Sequence, residues 1–323
     1  MVPGEVRGVV SAILRFSQTW AWAARTDFRL PPLHRGDASP RVYGIPMNTA
    51  DWALAFTLTS WTERQKAEVW GIVQSGVEPA LPALMRKDVE DLVARLPRLR
   101  REAEGRGVRL VLPGDEGADR LLEGLPYPVA LWVRGTLPPD GPSVAVVGSR
   151  EASFAGRERA RNWARELTAS GVAVLSGLAR GIDGAAHEGA LEAGRTWGVM
   201  GSGLDRPYPP EHRGLMDRIV KAGGGILTPF PPGAEPHRWH FPRRNLLLAA
   251  WARGVLVVEA RIRSGSLVTA RLALDLGREL WVVPGAPEEP LAEGPNELLR
   301  QCAARPCRSP RDLLEDLDFH KGT

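Results

Sequence analysis

From residue 143 onward the chain repeats one pattern: a short, largely apolar run (uninterrupted at 144–147), a glycine-rich turn, then a stretch with helical spacing. The apolar runs fall at 144–147, 172–175, 196–200, 225–228, 255–258 and 280–283. A strand that is apolar at every position, rather than at alternate ones, is covered on both faces, as a parallel strand between two helical layers is. Helices are expected at about 155–169, from about 183, and at about 210–221, 242–251 and 265–276. Repeated strand–helix units with right-handed crossovers specify an α/β chain with a doubly wound, mostly parallel sheet. Ligands of such sheets sit where loops leave the C-terminal ends of strands.

The earlier part of the chain reads differently. Residues 8–24 are largely apolar, and Pro31, Pro32 and Pro40 then break the pattern. No basic start and small-residue cleavage site frame them as a signal peptide. Residues 1–46 are expected to be an extension, with Met47 as the native start. Residues 47–105 are expected to form a small helical domain, with helices over about 62–74 and 87–104. Strands are expected at 108–112 and 130–133, and the proline-rich stretch 137–143 reads as a linker. The sheet domain is placed at 106–290, and 291–323 is expected to be a C-terminal tail.

With 43% apolar and 25% charged residues the chain has the balance of a folded protein. No window of about 20 residues is continuously apolar, which argues against a transmembrane helix. Cys302 and Cys307 fit neither a metal spacing nor a disulfide framework, so a reducing, cytoplasmic setting is expected. Charge is uneven. Residues 143–285 carry 19 Lys and Arg against 13 Asp and Glu, and Lys221 is the one lysine among those cations. Arginine grips planar anions with two donors and stacks on bases, so a polyanion is a candidate ligand. A surface that simply uses arginine for every cation would look the same.

The residues at the expected strand ends share one chemistry. They are Gly148, Ser149 and Arg150 after the first run, and Ser176, Gly177, Arg180, Gly181 and Asp183 after the second. Arg206 and Tyr208 follow the third run, and Phe241, Arg243, Arg244 and Asn245 the fourth. Glu259, Ser264, Ser266 and Thr269 follow the fifth. Glycines let backbone N–H groups approach an anion, hydroxyls and helix N-termini add donors, and the arginines add charge. Tight βα turns alone would also use Gly and Ser, but five such loops on one edge favour phosphate recognition.

Other chemistries find less support. The first turn reads GSREASFAG and lacks the G-x-G-x-x-G of dinucleotide sites. There is no G-x-x-x-x-G-K-[ST] loop and no G-x-S-x-G elbow. His237 and His240 are spaced like metal ligands but have no acidic or cysteine company. Asp183 reads as a helix cap and Glu259 as an acceptor for loop amides, either could accept a ribose hydroxyl, and the two are not paired for acid–base work.

In order and spacing, VAVVGSR at 144–150, SGLARGID at 176–183, GSGLDRPYPPEH at 201–212, FPRRN at 241–245, VVEARIRSGSLVTA at 257–270 and GRELWVVPG at 277–285 resemble the DprA/Smf family of bacterial DNA-processing proteins. The resemblance implies an extended Rossmann-like domain that binds single-stranded DNA and dimerises. It also implies a mediator of natural transformation that works beside single-strand-binding protein and loads the RecA recombinase, with no catalysis and no cofactor. Arg150 and Arg180 match the family's pocket positions best, followed by the Arg206/Tyr208 loop and Arg243/Asn245. Tyr208 or Phe241 could stack a base or pack the loops.

Three features depart from the family. Leu246 stands where a second arginine often follows the asparagine, residues 294–304 follow the pattern loosely, and 291–323 is too short for the winged-helix domain many members carry. The competing reading is an enzyme acting on a nucleotide-derived small molecule, as in phosphoribohydrolases of similar fold. SGSLVTA stands where those enzymes carry a PGGxGT-type loop. Leu272, Leu274 and Leu276 could serve a dimer contact or the core.

Overall fold

The computed structural model describes residues 41–42, 45–46, 49–58, 63–75, 98–99, 101, 104–105, 107–122 and 125–319. Most of the expected extension and most of the 87–104 helix lie outside these residues. Strands β1 (Arg41–Val42) and β2 (Ile45–Pro46) pair antiparallel in a ladder of their own.

The main sheet has nine strands. They are β3 (Arg109–Val111), β4 (Leu131–Gly135), β5 (Ser143–Val147), β6 (Ala173–Ser176), β7 (Thr196–Val199), β8 (Gly225–Thr228), β9 (Gly254–Val257), β10 (Glu279–Val282) and β11 (Arg305–Pro306). Their spatial order is β11-β10-β9-β5-β6-β7-β8-β4-β3. The seven strands from β11 to β8 run parallel, whereas β4 is antiparallel to β8 and β3 to β4. Strand β5 lies in the middle, with Ala145 opposite Leu175 on one side and Val255 on the other. The chain therefore winds outward from β5 to β8 and returns to β9, which opens a crevice beyond the C-terminal ends of β5 and β9.

The continuous apolar runs serve two layers at once. Val144 and Val146 face Ala160, Ala164 and Leu167 of α4 (Phe154–Ala169) and Ile182, Ala186 and Ala190 of α5 (Ile182–Ala193). The alternate residues Ala145 and Val147 face Leu247 and Ala250 of α7 (His240–Trp251) and Ala270 and Ala273 of α8 (Gly265–Asp275). Small residues bring α4 and α5 close, and a Cβ at Gly189 would collide with the Arg161 backbone. Helix α6 (Arg213–Lys221) covers the flank with Leu215, Met216 and Ile219.

Helix α1 (Thr49–Leu58) is mostly apolar, and its residues from Trp52 to Thr57 are buried. Its Trp52 and Phe56 join the core that continues through Leu131, Val133 and Leu247, while Leu54 packs with Leu110 and Trp132 on the other side of β3 and β4. Phe56 also meets Trp70 of α2 (Glu63–Gln74) and Tyr127 edge-on, at 6.2 and 5.6 Å. The buried Thr57 hydroxyl donates to the Ala53 carbonyl and accepts from the Ala130 N–H, which fastens the end of α1 to the start of β4.

Several elements go beyond the sequence reading. Helix α3 (Ala118–Leu122) lies between β3 and β4. Residues 291–319, expected as a tail, carry α9 (Glu293–Arg300), the edge strand β11 and α10 (Pro310–Phe319). Leu313 and Leu317 bury against the α4 layer, and the Trp281 indole donates to Asp316 at 2.6 Å. Leu272 belongs to the core, and Leu274 and Leu276 pack against it. Among the described residues no helix is long and apolar enough to cross a membrane.

Candidate nucleic-acid interface

Backbone hydrogen bonds stitch three strand-end loops into one floor. The Ser149 N–H donates to the Glu259 carbonyl at 2.7 Å, and the Ile182 N–H donates to the Ser149 carbonyl at 3.2 Å. Gly181 holds φ +74° against the Ser149 and Arg150 carbonyls, where a side chain would be both strained and obstructed. A Cβ at Gly148 would strike Ile182. The loops after β5, β6 and β9 are thus locked together, and Arg150 projects from them into solvent.

An aromatic ring carries the arginines. The Arg150 guanidinium lies over the Phe241 ring at 5.0 Å, the Arg244 guanidinium at 5.9 Å, and the Tyr208 ring meets Phe241 at 5.9 Å. Cation–π contacts hold a guanidinium in place without using up its N–H donors. The ring has room because residue 201 is glycine, whose Cβ would stand 3.1 Å from it. The third and fourth strand-end loops thus converge on the first.

Arg244 is the inner cation, only 5% exposed. Its guanidinium lies across Gly177, where any Cβ would collide with it, and 3.9 Å from the Asp183 carboxylate. Asp183 also accepts from the Ala179 N–H at 3.3 Å. Burial pushes the Asp183 carboxyl above its usual range, and Arg244 partly offsets this. Burial likewise lowers the Arg244 pKa, with Asp183 opposing. Behind them His187 is buried, its Nδ1 2.9 Å from the Thr196 hydroxyl; burial, then His212 and Arg244, depress it to about 3.

The outer arginines are engaged with carboxylates. Arg180 pairs with Glu211, and Arg206 with Glu235 at 3.4 Å. These acids escaped the sequence reading. Their only signal was an acidic residue in each loop facing an arginine-bearing one, which does not reveal distance.

Six expected contacts are engaged within the fold instead. Ser176 is fully buried, and its hydroxyl donates to the Val146 carbonyl at 2.6 Å, so it offers nothing to a surface ligand. Thr269 is buried, 2% exposed. The Ser266 hydroxyl pairs with that of Ser264 at 2.6 Å, and Ser264 caps α8 by accepting from the Ser266 N–H. Asn245 donates to the Gly265 carbonyl at 3.3 Å, so these side chains shape the start of α8. Arg243 turns away from the crevice and donates to the Phe56 and Thr57 carbonyls at 3.4 Å, at the C-terminal end of α1. Cations at a helix C-terminus satisfy its orphan carbonyls. Leu246 is buried in the core.

Glu259 accepts from a neighbouring loop amide, as expected, and its partner lies in the turn that leads into α4. Its carboxylate accepts from the Ser153 N–H at 2.9 Å and hydroxyl at 2.6 Å, and Ser153 in turn accepts from the Gly156 N–H. The N-terminus of α4, an obvious seat for a phosphate, therefore already holds a carboxylate. His240 stacks on Phe230 at 3.8 Å, and its Nδ1 lies 3.1 Å from the Gly201 carbonyl. Among the described residues no three His, Cys, Asp or Glu side chains cluster as metal ligands would.

Comparison with known proteins gives this geometry a context. Residues 113–318 match the family described as DNA recombination-mediator protein A. The chain is 43% identical over 202 residues to protein Smf of Escherichia coli, a match covering 62% of this chain and 54% of that protein. It is 34% identical over 239 residues to the DNA processing protein DprA of Bacillus subtilis, covering 73% and 80%. The solved structure of DprA from Streptococcus pneumoniae superposes with a TM-score of 0.66 at 30% identity, over 84% of this chain and 93% of that one. DprA from Helicobacter pylori, whose structure is described as showing a single-stranded DNA binding mode, aligns with a TM-score of 0.59 at 27% identity, over 66% and 96%. The strand-end motifs, the sheet order and these matches agree: the chain belongs to the DNA recombination-mediator protein A family.

Proposed function

We infer that the chain binds single-stranded DNA across the strand-end crevice and acts as a recombination mediator. The observation that carries this is the Arg150–Phe241–Arg244 stack, two guanidiniums on one ring at the point where the winding of the sheet reverses. Arg150 and the Arg180 and Arg206 ion pairs supply cations for phosphates, Phe241 holds the guanidiniums, and Tyr208 supplies a ring face for a base. In this reading the protein takes up incoming single strands during natural transformation, works beside single-strand-binding protein and loads the RecA recombinase. It does so as a homodimer in the cytoplasm, without catalysis and without a cofactor. The names of its relatives support the mediator role, and the Helicobacter pylori protein supports the ligand.

The reading of the chain as an enzyme on a nucleotide-derived molecule needs a free acid in the crevice. Both nearby carboxylates have other work, Asp183 against Arg244 and Glu259 on α4. The test is fluorescence anisotropy of labelled single- and double-stranded oligonucleotides with the full chain at several salt concentrations. Preference for the single strand, weakening steeply with salt, is the expected result. A folded protein that binds neither strand at low salt rules the reading out.

A further inference from the structure

The loop between β8 and α7 ends in Trp239, which is 70% exposed. One face of its ring is covered: the His237 ring lies parallel to it, 4.4 Å away with 5° between the planes. His237 meets His240 edge-on at 5.1 Å. His240 is itself fixed by Phe230 and by the Gly201 carbonyl. The indole is thus backed by a chain of rings anchored on the floor of the sheet, while most of its other face meets water. A large ring held out in this way forgoes the burial that normally rewards it.

Its surroundings indicate what would cover it. A cleft of about 360 Å³ is lined by Arg206, Tyr208 and Arg213 on one side and by Glu235 and Pro236 on the other. Tyr208 touches Phe241, so the cleft begins at the crevice. Glu235 and Pro236 immediately precede His237 and Trp239 in the chain, so the loop that walls the cleft is the one that carries the exposed indole. Arg206, Arg213 and Arg238 are exposed along this path. Flat rings interleaved with cations match a strand that offers one base and one phosphate per nucleotide.

We propose that Trp239, backed by His237, is a second base-stacking platform for single-stranded DNA, beyond the Arg150–Phe241 crevice. This rests on the single-strand reading above and adds a position to it. In a duplex the base faces are already stacked on one another, so the platform also contributes to selectivity for single strands.

The experiment compares an oligothymidylate with an abasic oligomer of equal length and charge, using the full chain. The wild type is expected to bind the thymidylate more tightly. Trp239→Ala is expected to lose about fivefold or more on the thymidylate and little on the abasic strand. Its salt slope should stay unchanged, since no phosphate contact is removed. Trp239→Phe should retain part of the discrimination. Wild-type binding with an unaltered Trp239→Ala variant, or an equal loss on both strands, overturns the platform alone. Wild type that binds neither strand overturns the single-strand reading and the platform with it.

Discussion

The guanidinium of Arg150 lies 5.0 Å from the centroid of the Phe241 ring, although Arg150 stands in the turn after β5 and Phe241 in the first turn of α7. The arginine is held by its flat face, which leaves its N–H edge available for a phosphate. Arg150→Ala is expected to weaken single-strand binding for every sequence tested and to lower the salt slope by about 0.7. Circular dichroism should show an unchanged fold because the side chain is exposed. An unaltered slope in a salt titration would place the phosphates elsewhere.

Neighbouring arginines on α7 should separate cleanly. Arg243 serves the carbonyls at the end of α1, so Arg243→Ala is expected to cost about 1–3 kcal/mol of stability and leave the salt slope of binding intact. Thermal unfolding together with the anisotropy titration reads both quantities. A normal melting curve with a lowered slope would reverse the assignment.

Arg244→Ala strips Asp183 of its buried cation. Leaving such a charge unpaired costs about 3–5 kcal/mol. Because burial already holds the Asp183 carboxyl high, the variant should recover stability as the pH falls and the carboxyl takes up a proton. Asp183→Asn in the same variant should restore stability at neutral pH and flatten that dependence. Denaturant melts at several pH values test both statements.

His187 makes the opposite contribution on the acid side. The folded state keeps it neutral down to about pH 3, whereas the unfolded chain protonates it near 6.5. The unfolded state therefore binds the extra proton, and stability drains away as the pH drops below 6.5, by about 1.4 kcal/mol per unit. His187→Gln should make the acid limb of the stability profile shallower. An identical limb in wild type and variant would remove His187 from the account.

Glu211 pairs with Arg180, so on the single-strand reading it would compete with phosphate for that guanidinium. An exposed pair of this kind is worth at most about 1 kcal/mol, so Glu211→Gln should tighten single-strand binding by about two- to fivefold at low salt. The gain should shrink as salt screens the pair. Weaker binding by the variant would mean that the ion pair positions Arg180 rather than occupying it.

The sheet was legible because burial on both faces writes itself into the residues. The runs at 144–147 and 255–258 are apolar at every position and became β5 and β9. The turn at 148–150 was legible as the end of a strand, but its glycine and serine would serve any tight βα turn, and only the set of such loops on one edge pointed to a ligand. Direction was not legible. Arg243 and Arg244 are adjacent and identical in type, yet helical geometry sends one toward α1 and the other under the crevice. Ser176 looked like a phosphate donor because sequence records the hydroxyl but not the Val146 carbonyl 2.6 Å away. Residues 291–319 read as a tail because β11 is only two residues long and the flanking helices are short.

Helix α7 gathers most of these relationships into one turn and a half. Phe241 carries the arginine stack, Arg243 clasps the end of α1, Arg244 fills the space over Gly177, and Asn245 holds the start of α8. Successive residues of a helix point about 100° apart, so these four partners surround the axis. Rotating α7 by a single residue would disengage all of them together. The rotational setting of one helix is thus a shared coordinate for the packing of the N-terminal segment and the shape of the crevice, and neither can change while the other stays as it is.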